Sequence, residues 1–205
     1  MTSTLTRDRA ETKVTLWLDP VCPFSWNTAR WLAGVADDAE FHIDWQLLNL
    51  AILNEGRQLP PPQQARMQDS RQIGRLMAAI CGELGASSMA AAYFAFGEWY
   101  FDQSAPLDND LVKHVLSAVG ARQTTAAALS DASLDPLVLQ SHQAGQQALG
   151  EMGGSPLLGI DGHTFFGPVL TSLPAPDTAL TLFDAVAALA VTPQFTQLQR
   201  PRAHE

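Results

Sequence analysis

Apolar segments and polar breaks alternate near the start of the chain in a pattern that predicts a strand, a helix and a second strand. Residues 14–18 are β-rich and apolar enough for a buried strand, which an Asp-Pro pair ends. Pro23 suits the first position of a helix, and apolar residues then recur at helical spacing. Residues 41–48 form the second predicted strand. Together they predict a βαβ unit, whose crossover is right-handed in nearly all proteins.

Residues 60–150 have a different pattern. Three consecutive prolines open this segment, which is rich in Ala, Gln, Leu and Met and has no strand-like stretch. Its apolar residues form three stripes at helical spacing, which predict four or five helices. The stripes consist of Ile73, Met77, Ile80, Cys81 and Leu84; of Met89, Tyr93, Phe96 and Tyr100; and of Leu111, Val115 and Val119.

Strand patterns return after the helical segment. Residues 156–160 and 163–166 are separated by Asp-Gly, a hairpin signal, and an apolar helix follows over residues 177–190. A βαβ half, a helical insertion and a ββα half predict an α/β protein with a thioredoxin-like fold and an all-α insertion, as in DsbA-like proteins. The predicted units are a discontinuous thioredoxin-like domain (14–58 and 152–192), a helical insertion domain (60–150), and flexible or surface tails (1–13 and 193–205).

Composition and charge narrow the class of partner. With 46% hydrophobic and 16% charged residues, the chain has the composition of a folded protein. A net charge of -9, with 12 basic residues spread along the chain, leaves no basic surface for nucleic acid or an anionic membrane. We find no apolar run long enough to span a membrane and no secretory signal. We therefore expect a cytoplasmic protein with no nucleic-acid or membrane partner.

The candidate chemistry lies in one of two cysteines. Cys22 and Cys81 are 59 positions apart, a spacing that forms neither a disulfide framework nor a zinc cluster. Cys22 begins the first helix, where the helix dipole favours an anion, so we predict an exposed thiol with a pKa below about 8.5. The alternative is a buried structural cysteine that happens to begin a helix. We interpret Cys81, on an apolar stripe, as a core residue.

The residues after Cys22 suggest how it reacts. Pro23 fixes the backbone, Phe24 offers an apolar surface, and Ser25 lies one helical turn on, close enough to donate a hydrogen bond to the sulfur. Because the Ser25 hydroxyl cannot attack a mixed disulfide as a second thiolate would, another thiol must resolve it. Trp26 is expected at the border of the same cleft.

A Ser-Pro pair before the predicted hairpin supports a reactive Cys22. In thioredoxin-like folds a cis proline at this place faces the active cysteine, and the backbone of the preceding residue can pair with an extended thiol substrate. We predict a cis bond between Ser155 and Pro156, with Pro156 packed against Cys22.

Several stretches of the chain resemble the actinobacterial mycothiol-dependent nitroreductase family, a branch of the DsbA-like thioredoxin superfamily. They are LWLDPVCPFSWNTARW, NLAILNE, SHQAGQQALGEMGGSPLL and the run from HTFFGPVL through PQFTQLQR. The resemblance implies that Cys22 is the nucleophile, that Pro156 is the cis proline, and that Phe24 and Asn54 flank the substrate pocket. It also implies mycothiol or a similar low-molecular-weight thiol as cosubstrate, with no tightly bound cofactor.

One departure from the family changes the predicted mechanism. The best-known members have a second cysteine where this chain has Ser25, so we predict a monothiol oxidoreductase. Cys22 attacks a disulfide or electrophilic substrate, or takes a small thiol, and a second thiol molecule releases the product. Two alternatives stay open: a thiol transferase or isomerase of the kappa-class glutathione transferase type, and a non-catalytic thiol-binding module. A homodimer is also left open.

The helical insertion is expected to cover the site. A bare thioredoxin core leaves the cleft open, and small-substrate chemistry benefits from a partly desolvated pocket. Asn54 is expected to point into the pocket with Phe24 and Ser25; the rival interpretation is that Asn54 caps a turn. His142 lies near the site or caps a helix. No histidine has metal-ligand spacing to another ligand, so we predict no metal site from protein ligands.

Overall fold

The structure, a computed structural model, describes residues 11–201. Residues 1–10 and 202–205 of the two predicted tails lie outside the described residues. The described part contains four strands and seven α-helices. In chain order they are β1 (Val14–Leu18), α1 (Pro23–Ala39), β2 (Ile43–Leu47), α2 (Leu50–Leu53), α3 (Pro61–Leu84), α4 (Ser88–Gly97), α5 (Asn109–Val119), α6 (Asp135–Leu149), β3 (Leu157–Ile160), β4 (His163–Phe166) and α7 (Pro176–Ala190).

The four strands form one mixed sheet in the order β2-β1-β3-β4. β1 pairs in parallel with β2 and antiparallel with β3, so Val14 lies between Ile43 on one side and Ile160 on the other. β3 and β4 form the predicted hairpin, whose turn residues Asp161 and Gly162 both have positive φ (48° and 84°). This is the backbone of a type I′ turn, which matches the twist of a hairpin. The α/β, thioredoxin-like fold predicted from the sequence is therefore present.

Two element boundaries differ from the sequence prediction. α1 runs on to Ala39, because Val35 and Ala36 continue its buried face. The helix then ends at Glu40, which adopts a left-handed conformation (φ 57°). Phe41 is consequently outside β2, and its ring stacks on Phe183 of α7 with the centroids 4.8 Å apart. The first residues of the predicted second strand thus fix the end of α1 against the closing helix.

The helical segment shares a hydrophobic core with the sheet. One cluster of buried side chains contains Leu16 of β1 and Trp26 of α1 together with Ile73 of α3 and Tyr93 of α4. Two short 3₁₀ turns (Ala126–Ser130 and Ala132–Leu134) and one π-helical turn (Glu98–Asp102) connect the helices. The division into a thioredoxin-like domain and a separate insertion domain stays a prediction.

Candidate active site

Cys22 lies at the carboxyl end of β1, where it forms the N-cap of α1. Its backbone is extended (φ -85°, ψ 116°), and Pro23 occupies the first turn of the helix. The Cys22 N–H donates to the Asp19 carbonyl at 3.1 Å, and the Trp26 N–H donates to the Cys22 carbonyl at 3.1 Å. The first bond closes a tight turn and the second begins the helix. The predicted position of Cys22 at a helix start is confirmed.

The loop before β3 meets Cys22 from the far end of the chain. The Ser155–Pro156 peptide bond is cis. The Cys22 thiol donates to the Ser155 carbonyl at 3.4 Å, although the two residues are 133 positions apart. The Ser155 hydroxyl accepts from the Asp19 N–H at 2.7 Å and shares a 2.6 Å hydrogen bond with the Ser25 hydroxyl. The structure therefore brings Cys22, Ser25 and Ser155 together.

The exposed, acidic thiol predicted from the sequence is wrong. Cys22 is only 4% exposed, and the Ser25 side chain is fully buried. Burial raises the pKa of Cys22 most, and the charge of Asp19 raises it further. Hydrogen bonds from the Ser25 hydroxyl and from the backbone N–H groups of Ser25 and Phe24 lower that pKa. The helix start favours a thiolate as predicted, but removal from water outweighs it.

Asp19 is a buried carboxylate that holds the Cys22 loop, and sequence reasoning read it only as the end of a strand. It accepts hydrogen bonds from the Val21 N–H (2.8 Å), the Leu50 N–H (2.6 Å) and the Ser70 hydroxyl (2.5 Å). It therefore connects the Cys22 loop to α2 and α3. Burial raises its pKa to about 6, against the opposing effect of the three hydrogen bonds and of Arg66. An Asp three positions before a helix-start cysteine was the available signal.

Trp26 is buried beneath the helical segment rather than at the border of an open cleft. Its ring lies edge-on to Tyr93 (centroids 5.7 Å apart) and stacks on Phe101 (5.8 Å). The Trp26 Nε1–H donates to Asp102 Oδ1 at 3.0 Å. The Arg30 guanidinium lies 4.7 Å from the ring centroid, in cation–π contact. α4 and the π-helical turn thus cover the first turns of α1, as the predicted covering insertion requires.

The close contact between α4 and α1 makes Gly97 a sensitive position. A Cβ at Gly97 would lie 2.3 Å from Cζ3 of Trp26, a rigid aromatic ring. We expect Gly97→Ala to destabilise the protein by roughly 1–3 kcal/mol, because the ring must move away from a packed site. Gly82→Ala in α3 is the matched control, since nothing lies within 4 Å of its Cβ and alanine favours a helix. Urea unfolding of both variants tests this; equal stabilities would contradict the packing argument.

Pro23 and Phe24 are the partly exposed residues of the motif. The Phe24 N–H is one of the two backbone N–H groups that lower the pKa of Cys22. Their role as substrate contacts stays a prediction, as does that of Pro156, which is buried behind the Ser155 carbonyl.

Asn54 does not share a pocket with Phe24 and Ser25, so that part of the prediction is wrong. Its side-chain N–H donates to the Leu50 carbonyl at 2.8 Å, which closes α2. Asn54 also lines a cavity of about 550 Å³. The cavity wall is otherwise formed by Ala51, Glu55, Gly56, Arg57, Leu59, Gln64, Met67, Gln68, Arg71, Gln72 and Arg75. The turn-capping interpretation of Asn54 therefore describes its contacts.

His142 and Cys81 have structural surroundings. The buried His142 accepts the Asn49 N–H at Nδ1 (3.2 Å), and burial lowers its pKa. The Asn49 side chain in turn caps α2 by accepting the Ile52 N–H at 3.1 Å. Cys81 is half-buried at the edge of the core, and burial raises its pKa. Both residues support the scaffold around the site.

Neither a metal cluster nor a membrane span is found in the part of the chain that the structure describes. Within residues 11–201, no three His, Cys, Asp or Glu side chains are grouped so that they could hold a metal ion. No helix in the same range combines the length and the apolar character needed to cross a membrane.

A four-stranded mixed sheet, a helix-start cysteine and a facing loop with a cis proline define a protein with a thioredoxin-like fold and a cysteine site. Residues 21–200 match the family described as "Rv2466c-like: Mycothiol-dependent nitroreductase Rv2466c". The chain belongs to this family, since the match spans most of its length. It is also 30% identical to "Uncharacterized protein Rv2286c" of Mycobacterium tuberculosis (strain ATCC 25618 / H37Rv), over 94% of this chain and 83% of that protein.

Solved structures agree on the fold. The chain is similar to 2-hydroxychromene-2-carboxylate isomerase with a TM-score of 0.58 and 18% identity, over 86% of this chain and 95% of that one. It is similar to the cytosolic disulfide reductase DsbM of Pseudomonas aeruginosa, solved with GSH, with a TM-score of 0.53 and 13% identity, over 86% and 99% of the two chains. At these identities the similarity confirms the DsbA-like, thioredoxin-like fold.

Proposed function

We propose that this protein is a monothiol oxidoreductase that forms a mixed disulfide between Cys22 and mycothiol or a similar low-molecular-weight thiol. The observation that carries the proposal is the composition of the Cys22 site. The sulfur faces the Ser155 carbonyl at 3.4 Å, and the residue one helical turn on is a serine whose hydroxyl bonds to Ser155 at 2.6 Å. The site thus holds one thiol and two hydroxyl groups, and none of the neighbours named can resolve a disulfide.

The proposed cycle has two exchange steps. The Cys22 thiolate attacks the small-thiol sulfur of a mixed disulfide; a new S–S bond joins Cys22 to the small thiol, and the substrate leaves as a thiolate that takes up a proton. A second small-thiol thiolate attacks the same sulfur and releases Cys22 as a thiolate. The net result converts the mixed disulfide and one free small thiol into the free substrate thiol and the symmetric small-thiol disulfide, so one free small thiol is consumed in each cycle.

The residues around Cys22 have separate roles in this cycle. The Ser25 hydroxyl and the Phe24 and Ser25 N–H groups stabilise the thiolate, since all three lower the pKa of Cys22. The Ser155 carbonyl, which now accepts from the Cys22 thiol, becomes available to the backbone of an extended thiol once that thiol is deprotonated. Pro23 and Phe24 contact the arriving substrate, and Pro156 fixes the Ser155 carbonyl. Because Cys22 is 4% exposed, local opening next to the sulfur precedes substrate entry.

The proposed partners are small molecules, namely the thiol cosubstrate and a disulfide or electrophilic substrate, with no tightly bound cofactor. The proposed location is the cytoplasm. The two cysteines are free thiols, the state that a reducing compartment maintains. The similar disulfide reductase DsbM is itself named as cytosolic.

A second candidate is a thiol transferase or isomerase of the kappa-class glutathione transferase type. The raised pKa of the buried Cys22 favours this candidate, because a thiol that stays protonated is a poor nucleophile and a hydrogen-bond donor to a bound thiolate. In that case the bound thiol is the reagent and no covalent adduct accumulates.

Intact mass measurement after incubation with oxidised mycothiol, oxidised glutathione or coenzyme A disulfide separates the two candidates. The monothiol proposal expects one stable adduct on the wild-type protein. Ser25→Cys is the matched variant: its second thiolate displaces the small thiol, and the product is an internal disulfide two hydrogen atoms lighter than the reduced protein. Intramolecular attack outruns attack by free thiol because the two sulfurs are held together. A wild-type protein that stays unmodified with all three reagents would contradict the proposal.

A further inference from the structure

The hydroxyl group of Tyr93 is buried and unpaired. Tyr93 lies in α4 with none of its surface exposed. Within residues 11–201 its hydroxyl oxygen has no hydrogen-bond partner. Most buried polar side-chain atoms are hydrogen-bonded, and a buried donor without an acceptor destabilises the folded state. A buried hydroxyl without a partner calls for a functional or structural explanation.

Tyr93 packs against the first turn of α1, at the helix end that the reactive cysteine caps. Its ring lies edge-on to Trp26, with centroids 5.7 Å apart and the ring planes at 77°. The Trp26 N–H donates to the Cys22 carbonyl at 3.1 Å, so the Tyr93 ring packs against the first turn of the helix that Cys22 caps. Burial raises the pKa of Tyr93 most, the negative charges of Cys22 and Asp19 raise it further, and Arg30 lowers it. These effects on the pKa agree with the place of the Tyr93 ring beside the start of α1.

The phenol is also a permanent donor. Because the pKa of Tyr93 is well above its ordinary value, the hydroxyl keeps its proton throughout the neutral pH range. The Ser25 hydroxyl, in contrast, is already engaged with the Ser155 hydroxyl at 2.6 Å. A negative sulfur at Cys22 would give the Tyr93 O–H the acceptor that it lacks.

We propose that Tyr93 is a catalytic hydrogen-bond donor, whose hydroxyl stabilises the thiolate sulfur of Cys22. The proposal rests on the monothiol function above and adds a donor that comes from the helical segment instead of the thioredoxin-like sheet. It gives α4 a chemical role in addition to its role as a cover. The unpaired hydroxyl in the resting protein is then the state before the thiolate forms.

Tyr93→Phe removes only the hydroxyl and tests the proposal in a Cys81→Ser background, where Cys22 is the one remaining thiol. We expect the rate of Cys22 alkylation by iodoacetamide at neutral pH to fall about tenfold or more, and the midpoint of its pH profile to rise by about one unit, since a hydrogen bond to a charged group is lost. The melting temperature should stay equal or increase, because a buried unpaired donor is removed.

Tyr100→Phe is the matched control. Its hydroxyl donates to Asp69 at 2.9 Å, so this variant should lose stability and keep the wild-type alkylation profile. An unchanged alkylation profile in Tyr93→Phe would overturn the proposal, as would an equal shift in both variants. The alkylation assay needs no small-thiol substrate: a shifted profile without any thiol adduct contradicts the monothiol function alone, and adducts with an unshifted profile contradict the Tyr93 role alone.

Discussion

Replacing Cys22 by serine is expected to abolish adduct formation with every oxidised low-molecular-weight thiol. The hydroxyl of serine does not form an S–S bond, and the proposed cycle passes through the Cys22 sulfur in both steps. Intact mass measurement under the conditions that modify the wild-type protein checks this result. The expected loss is complete, the largest effect of any single substitution considered.

Cys81→Ser is the matched control for Cys22→Ser. Cys81 is partly exposed, whereas Cys22 is 4% exposed, so accessibility alone would favour modification at Cys81. We expect the adduct to form at Cys22, where the sulfur faces the Ser155 loop at the start of α1. Cys81→Ser should then be modified as fully as the wild type. An adduct that persists in Cys22→Ser and disappears in Cys81→Ser would show that the assigned cysteine is the wrong one.

Asp19 is expected to make the folded protein less stable as pH rises from about 4 to about 6. Its pKa is about 6 in the folded protein against 3.8 in the absence of burial. Between these values the folded state binds more protons than the unfolded state, so stability falls with rising pH, in total by about 3 kcal/mol. Urea unfolding at a series of pH values measures the slope.

Comparison with Asp19→Asn isolates this contribution. His142 has a lowered pKa, so its titration changes stability in the opposite direction, and it is present in both proteins. The asparagine variant should show a more positive pH slope than the wild type, even though its side-chain N–H groups meet the Leu50 N–H and reduce its overall stability. Because the charge of Asp19 raises the pKa of Cys22, the variant should also react at lower pH. Parallel slopes in the two proteins would refute the assignment.

Local sequence signals predicted the elements that make up the sheet and the start of α1. The β1 strand is found at the predicted residues, and the Asp-Gly hairpin turn has the expected positive φ angles. Cys22 and the Ser155–Pro156 pair were also predicted, because a helix start and an X-Pro bond are both properties of a few consecutive residues.

What sequence reasoning missed depends on distant contacts. Trp26 is covered by α4 and its π-helical turn, and the Cys22 sulfur faces the Ser155 carbonyl from 133 positions away; no pattern near Cys22 reports either contact. Burial raises the pKa of Asp19, and the hydrogen bonds that lower it include those from Leu50 and Ser70, 31 and 51 positions away. Neither the burial nor these two hydrogen bonds can be seen in the residues next to Asp19. The Asn54 prediction was wrong for a different reason: its side chain bonds to Leu50, four positions earlier in the chain, and this local contact is the one that the turn-capping interpretation describes.

The order of the site residues along the chain also determines when each part of the site is synthesised. Ser155 follows Cys22 by 133 positions, and β3, the antiparallel neighbour of β1, is translated just after it. At the usual synthesis rates, roughly 7 to 27 s pass between the two residues. During that interval β1 lacks one of its two neighbours and the Cys22 sulfur lacks the Ser155 carbonyl. During synthesis the Cys22 thiol is therefore open to oxidation, because the residues that bury it are not yet in place. The fraction of the protein that folds with a reduced Cys22 then depends on how reducing its surroundings are.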